Sequence, residues 1–237
     1  MNQLKLYETV RLHYNTYLYK LVLSNPIIHI FRTDLQRGVP LSFARSQLDD
    51  LTQKYRANEP LTKQTFRATV EIPVESYLDA KDIYSILKKN SGYKLRVETS
   101  RSLGIYSNDR DMLMRISKKM RESLREFWEP APGNELILLN KKDIVLVKSP
   151  SAYEYKVHLR YTKVDVAFKN WIDANLDKIK IGAATYGDIS TGFANGCYFY
   201  VRDERVLSLV ELLIGHAIRK VDKIVYKGDI DKYKYDN

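Results

Sequence analysis

The amino-acid sequence predicts an α+β protein: two tandem units of βαββαβ order behind a β-rich N-terminal segment with one helix. Three observations lead there. From Tyr153 onward, a stretch of strand-like alternation, a helical stretch, two more alternating stretches and a second helical stretch follow one another closely. Between Phe66 and Lys148 a similar succession occurs. Clusters of turn residues, among them Asn58-Glu59-Pro60, Asn90-Ser91-Gly92 and Pro130-Ala131-Pro132-Gly133, punctuate the chain between these stretches.

The βαββαβ order is the split βαβ unit of ferredoxin-like domains, so the expected division is an N-terminal hairpin plus helix over 1–60, ferredoxin-like units over 61–150 and 151–228, and a flexible tail over 229–237. In the first segment, Thr16 to Leu23 and Ile27 to Arg32 flank Ser24-Asn25-Pro26 as a hairpin or a kinked edge strand would, and Phe43, Leu48, Leu51 and Tyr55 mark a helix after Gly38-Val39-Pro40. In the second, Phe66, Ala68, Val70 and Ile72 alternate as a strand. A helix over 76–89 follows, then a hairpin of Tyr93–Glu98 and Ser102–Ser107. Asn108 is expected to cap a helix over 109–128, whose apolar stripe is Leu113, Ile116, Met120, Leu124 and Phe127. Strands are expected at Glu135–Leu139 and Asp143–Lys148. In the last unit the expected elements are strand Tyr153–Tyr161, helix 164–177 capped by Thr162, strand Lys180–Tyr186, a flexible loop from Gly182 to Gly196, strand Gly196–Arg202 and a helix from 204. Leu209, Leu213, Ala217, Val221, Ile224 and Val225 suit either one long helix or a helix followed by a sixth element that is a strand.

Composition narrows the function classes. The chain has 39 Lys and Arg against 29 Asp and Glu, a net charge of +10, which favours a polyanionic partner. The basic residues are interspersed with acids, so the same charge also suits a solvated surface. One cysteine, Cys197, excludes an internal disulfide and a multi-cysteine zinc site. No apolar run reaches the roughly 20 residues of a membrane span, and the start, Met-Asn-Gln-Leu-Lys, lacks the apolar core of a signal peptide. The expected setting is therefore cytoplasmic, in a cell or an infected one or in a virion, with no membrane partner.

The candidate binding residues are rows of cations on strand and helix faces. Lys156, His158 and Arg160 share the face opposite Tyr155, Val157 and Leu159. Arg67, Lys94 and Arg96, joined by Tyr106, form a parallel row, diluted by Glu71 and Glu98. Lys118, Arg121 and Arg125 fall at i, i+3, i+7 on the expected helix, beside Arg115 and Lys119. The strand Gly196-Cys197-Tyr198-Phe199-Tyr200-Val201-Arg202 resembles the glycine-aromatic third strand of RNA-recognition domains, but Asn195 replaces the basic residue before the glycine and Arg202 the aromatic after the valine. Its aromatics are expected in the core more than on a platform.

Catalytic signals are sparse. His13, His29, His158 and His216 lack metal-ligand spacing, so no metal or cofactor is expected. His158, with Lys156, Tyr155 and Tyr161 near it, is the one candidate for general acid-base chemistry on RNA. Asp165 and Asp188 look superficially like paired metal-binding carboxylates, although Asp165 fits the first turn of a helix better. The leading expectation is a non-enzymatic protein binding RNA or single-stranded DNA through the phosphate backbone. The alternatives are a structural or assembly subunit, viral or cellular, with a protein partner, and an RNA endonuclease using His158.

Overall fold

The computed structural model describes residues 4–32, 41–64, 68–99 and 101–234. The chain divides into two compact units, 1–135 and 136–237. Each holds one five-stranded sheet. The described residues contain eight α-helices in all and no closed barrel.

In the first unit β1 (Lys5–Glu8), β2 (Tyr19–Ser24), α1 (Ser42–Arg56), β3 (Thr62–Gln64), β4 (Thr69–Glu71), α2 (Val74–Leu87), β5 (Tyr93–Thr99), β6 (Ser102–Ser107), α3 (Arg110–Lys119) and β7 (Leu124–Glu129) follow in order. The sheet order is β1-β7-β2-β6-β5; β1 runs parallel to β7 and the other pairs are antiparallel. β3 and β4 form a separate ribbon. Alternation sends Leu21, Leu23, Leu103, Ile105 and Phe127 to one face, where they are buried along with Tyr77, Ala80, Ile83 and Leu87 of α2 and Leu113 and Ile116 of α3. Each of the leucine, isoleucine and phenylalanine side chains contributes about 1.5–3 kcal/mol through burial.

The expected hairpin at Asn25 is not formed. The Asn25 side chain accepts from Ile27 N at 3.0 Å and donates to the Ser76 carbonyl at 2.8 Å and to Ser123 Oγ at 3.0 Å. This Asx turn steers Ile28–Phe31 into a 3-10 turn that buries Ile28, Ile30 and Phe31. The expected helix over 109–128 is also two elements. Asp109, not Asn108, caps α3 by accepting from Met112 N at 2.8 Å, while Asn108 accepts from Leu18 N. The helix ends because Asp79 of α2 takes the amides of Arg121, Glu122 and Ser123 at 2.9, 3.2 and 3.0 Å. Those N–H groups would otherwise bond back into the helix, so the chain turns and Leu124–Glu129 joins the sheet.

In the second unit the order is α4 (Glu135–Asn140), β8 (Ile144–Val147), β9 (Tyr155–Leu159), β10 (Thr162–Lys163), α5 (Val166–Asp173), β11 (Ile179–Ile181), α6 (Ala183–Ser190), β12 (Phe193–Ala194), β13 (Tyr198–Val201), α7 (Glu204–Ile214), β14 (Ile218–Tyr226) and α8 (Ile230–Lys234). The sheet order is β11-β13-β9-β14-β8; β8 runs parallel to β14 and the remaining pairs are antiparallel. Val157, Leu159, Ile179, Phe199 and Val201 face Phe168 and Ile172 of α5 and Val206, Val210 and Ile214 of α7 in one core. β10 and β12 form a short separate pair.

The sixth element is a strand: α7 stops at Ile214, Gly215–Ala217 make a 3-10 turn, and the β-branched Ile218, Val221, Ile224 and Val225 enter the sheet. Four expectations are corrected. Glu135–Leu139 is the helix α4, since a short apolar run fits either structure. The expected loop from Gly182 contains α6, with Thr185 and Ile189 buried one turn apart, and strand β11 ends at Ile181. Asp165 caps α5 by accepting from Ala167 N at 2.7 Å, in place of Thr162, which lies in β10. The expected flexible tail holds α8, anchored by buried Ile230, with Tyr233 beneath the ammonium groups of Lys141 and Lys223.

The two sheets share one plan. β1, β7, β2, β6 and β5 correspond in order and in pairing sense to β8, β14, β9, β13 and β11. The expected boundaries after residues 60 and 150 lie elsewhere than this division. β2, expected in an N-terminal segment, is central in the first sheet, and β8, expected to close the first unit, is the edge of the second.

Candidate nucleic-acid interface

The second sheet turns Val157, Leu159 and Phe199 toward its helices, so Lys156 and His158 of β9, Tyr198 and Tyr200 of β13, Lys180 of β11, and Lys220 and Asp222 of β14 point the other way. Lys180, Tyr200, Lys156 and Asp222 lie across the sheet in one register row. Tyr198, His158 and Lys220 make the next. Tyr198 is 45% exposed, against 0% for Phe199 beside it. The ammonium of Lys156 lies 3.6 Å from the Tyr198 centroid and 5.6 Å from that of Tyr200, a cation–π arrangement. Tyr200 meets Tyr198 edge-on at 5.7 Å and Tyr153 at 6.5 Å, which extends the aromatic surface.

Asp222 organises the polar part. It is 1% exposed, and its carboxylate lies 2.9 Å from His158 Nε2 and 2.7 Å from Lys220 Nζ. Burial works to raise this carboxyl, but the His158 and Lys220 contacts outweigh it and hold the group at about 2. Asp222 therefore stays ionised and fixes the orientation of the His158 ring, whose centroid is 6.0 Å from that of Tyr198. Chemically the face offers stackable rings, cations for phosphates and an imidazole positioned by a carboxylate.

Of the sequence-derived candidates, Lys156 and His158 are thus brought together here. Arg160 follows β9, with its Nη2 donating to the Ile218 carbonyl at 2.8 Å. The stripe of Lys118, Arg121 and Arg125 does not exist as a stripe. Lys118 lies in the last turn of α3, Arg121 sits in the turn paired with Asp79 and Asp82 at 3.1 and 3.0 Å, and Arg125 is on β7 with its guanidinium donating to the carbonyls of Glu122 and Leu124. Arg67 lies outside the described residues. Lys94, Arg96 and Tyr106 do share a sheet face in the first unit, but that face is occupied. The Tyr14 ring lies 4.1 Å from Lys94 Nζ, its hydroxyl accepts from Arg96 at 3.0 Å, and Tyr106 donates to Glu98 at 2.7 Å.

The sequence favours the core over a platform for Tyr198 and Tyr200 and does not single out Lys180, Lys220 or Asp222. The strict alternation around buried Phe199 is the signal that separates the two tyrosines from it. Asp222 became readable only once its segment was known to be a strand. The described residues contain no cluster of His, Cys, Asp and Glu suited to hold a metal, and no helix long and apolar enough to cross a membrane. Compared with protein-family models, curated proteins and solved structures, the chain matches none.

Proposed function

We propose that the second unit is a ferredoxin-like domain whose open sheet face binds single-stranded nucleic acid, RNA or DNA, without catalysing a reaction. Counting β9, β11, β13 and β14 as strands one to four gives the order 4-1-3-2 expected of the split βαβ unit, and β2, β5, β6 and β7 give the same order in the first unit. Bases stack on Tyr198 and Tyr200, and Lys156, Lys180 and Arg160 meet phosphates. The observation that carries this reading is the exposed Tyr198 on β13 next to the Lys156 ammonium of the neighbouring strand β9, since base stacking needs an accessible aromatic and backbone contact needs a cation next to it. Little in this set reads base edges, so sequence preference is weak and affinity falls steeply with salt.

The test is a shift assay with labelled single-stranded RNA and DNA at two salt concentrations. Affinity that does not fall as salt rises sinks the reading, and assembly of the protein without any oligonucleotide turns it toward a protein partner. A second reading, RNA cleavage, is favoured by the His158–Asp222 contact at 2.9 Å, because an imidazole held by a buried carboxylate is suited to general base work. There His158→Ala abolishes cleavage and leaves binding in place. An intact RNA after prolonged incubation with wild type removes it.

A further inference from the structure

The first unit repeats one register row of the interface, with Gly104 where the second unit has Tyr198 and Val22 where it has His158. Lys94, Tyr106 and Lys20 stand in one register row on β5, β6 and β2, as Lys180, Tyr200 and Lys156 do on β11, β13 and β9. Trp128 of β7 continues the first row and Tyr7 of β1 stacks on it at 4.6 Å. The Lys20 ammonium lies 5.5 Å from the Tyr106 centroid and 5.7 Å from that of Trp128. The difference lies in accessibility: Tyr106 is buried, 4% exposed, where its counterpart Tyr200 is half-buried.

Two rings of the chain itself make that difference. Between β1 and β2 the backbone turns at His13–Tyr17, bringing His13 to 5.5 Å from Tyr106 and 6.0 Å from Trp128, and Tyr14 edge-on to Tyr106 at 4.9 Å. The legs are fixed: Leu12 and Leu18 are buried, and Asn108 bonds Leu18 N and the Thr16 carbonyl. The tip is not. Tyr14 and Asn15 both have φ of 55°, a left-handed conformation that a tyrosine adopts only at a cost, and the Tyr14 ring is 40% exposed.

We propose that the first unit carries a second site for an unpaired nucleobase, on the Lys94-Tyr106-Lys20 row, and that the Tyr14 ring fills it as a surrogate base. A base enters when the tip swings aside, and Tyr14 competes with it. The proposal rests on the reading that such a lysine-tyrosine row takes stacked bases.

The test uses the full chain with Lys156→Ala and Tyr198→Ala disabling the second unit's face, and Trp171→Phe leaving Trp128 as the one indole, since the sequence has two tryptophans. Tyr14→Gly is added to this background, because glycine adopts the turn conformation freely and removes only the ring. Tyr14→Asn serves as a second variant that tolerates the same φ. With a single-stranded oligouridylate the expected result is affinity raised roughly ten-fold by loss of the competitor, with a change in Trp128 emission on binding. Unchanged affinity and unchanged emission in both folded variants overturn the proposal. If wild type fails to bind while the Tyr14 variants bind, the second unit's reading fails alone. If wild type binds through Tyr198 and the Tyr14 variants gain nothing, the present inference fails alone.

Discussion

Replacing Tyr198 with alanine separates stacking from phosphate contact. The ring stands outside the core, which Phe199 enters instead, so folding stability should fall only by the lost Lys156 cation–π contact, about 0.5–1 kcal/mol. Stacking of one base on an aromatic is worth about 1–3 kcal/mol by alanine substitution, so affinity should fall by about 5–150-fold, with about 30-fold as the central expectation. No charge is removed, so the slope of log affinity against log salt should stay that of wild type. Lys180→Ala supplies the contrast. Its side chain is exposed opposite Tyr200, and losing one phosphate contact should lower a single-strand slope by about 0.7 while weakening binding less at high salt than at low. Fluorescence anisotropy of a labelled oligonucleotide across a salt series reads both quantities. Tyr198→Ala binding within about two-fold of wild type would refute the stacking argument, and a slope that falls with Tyr198→Ala would show that the ring acts through the Lys156 charge beside it.

Other substitutions test the frame and the electrostatics. Asp79→Ala strands the buried Ser123 amide and removes the partner of two more, so chemical denaturation followed by tryptophan fluorescence should show a loss of about 3–4 kcal/mol in the first unit, a value near zero being incompatible with its role in ending α3. Asp222→Ala leaves His158 and Lys220 without their shared carboxylate and should cost about 3 kcal/mol, read as a lowered melting temperature of the second unit. Because Asp222 is held at about 2, below its unfolded value, its stabilisation is present above roughly pH 4 and disappears as pH falls toward 2, and acid titration of wild type against Asp222→Asn measures it. His13 is held down at about 4 by burial and by Lys20 and Arg11, with Glu98 opposing them. Its protonation therefore favours the unfolded chain, and first-unit stability should be full above roughly pH 6.5 and decline by about 2–3 kcal/mol on the way to pH 4, a slope that His13→Gln removes.

The parts of the fold that the sequence displays are those with local causes. The β5–β6 hairpin, α2, β9, β13 and the start of α7 follow from alternation, helical spacing and turn residues within a few positions. The failure at 109–128 has a distant cause. Leu113 to Phe127 keeps helical spacing throughout, and the carboxylate that ends the helix comes from Asp79, more than 40 residues earlier. Charge spacing inherited that error, which is why Lys118, Arg121 and Arg125 dispersed. At the interface, Lys156 and His158 were legible because one strand sets them on one face. Their partners Tyr200 and Asp222 come from other strands, and register is a property of the assembled sheet.

The parallel edge strands have a consequence for the order in which the molecule can assemble. Among the described residues β1 pairs only with β7, and β8 only with β14, so each unit's first strand has no partner there until its last strand has been made. β7 and β14 must then slot between an edge strand and a central strand already synthesised, a non-local step that waits for loop closure across the whole unit. On the ribosome the first unit can complete its sheet only after Glu129 has emerged, and the second only after Tyr226. A chain ending before Ile218 would lose β14 and leave β8 unpaired, with a three-stranded remnant of β11, β13 and β9 whose central strand has become an edge.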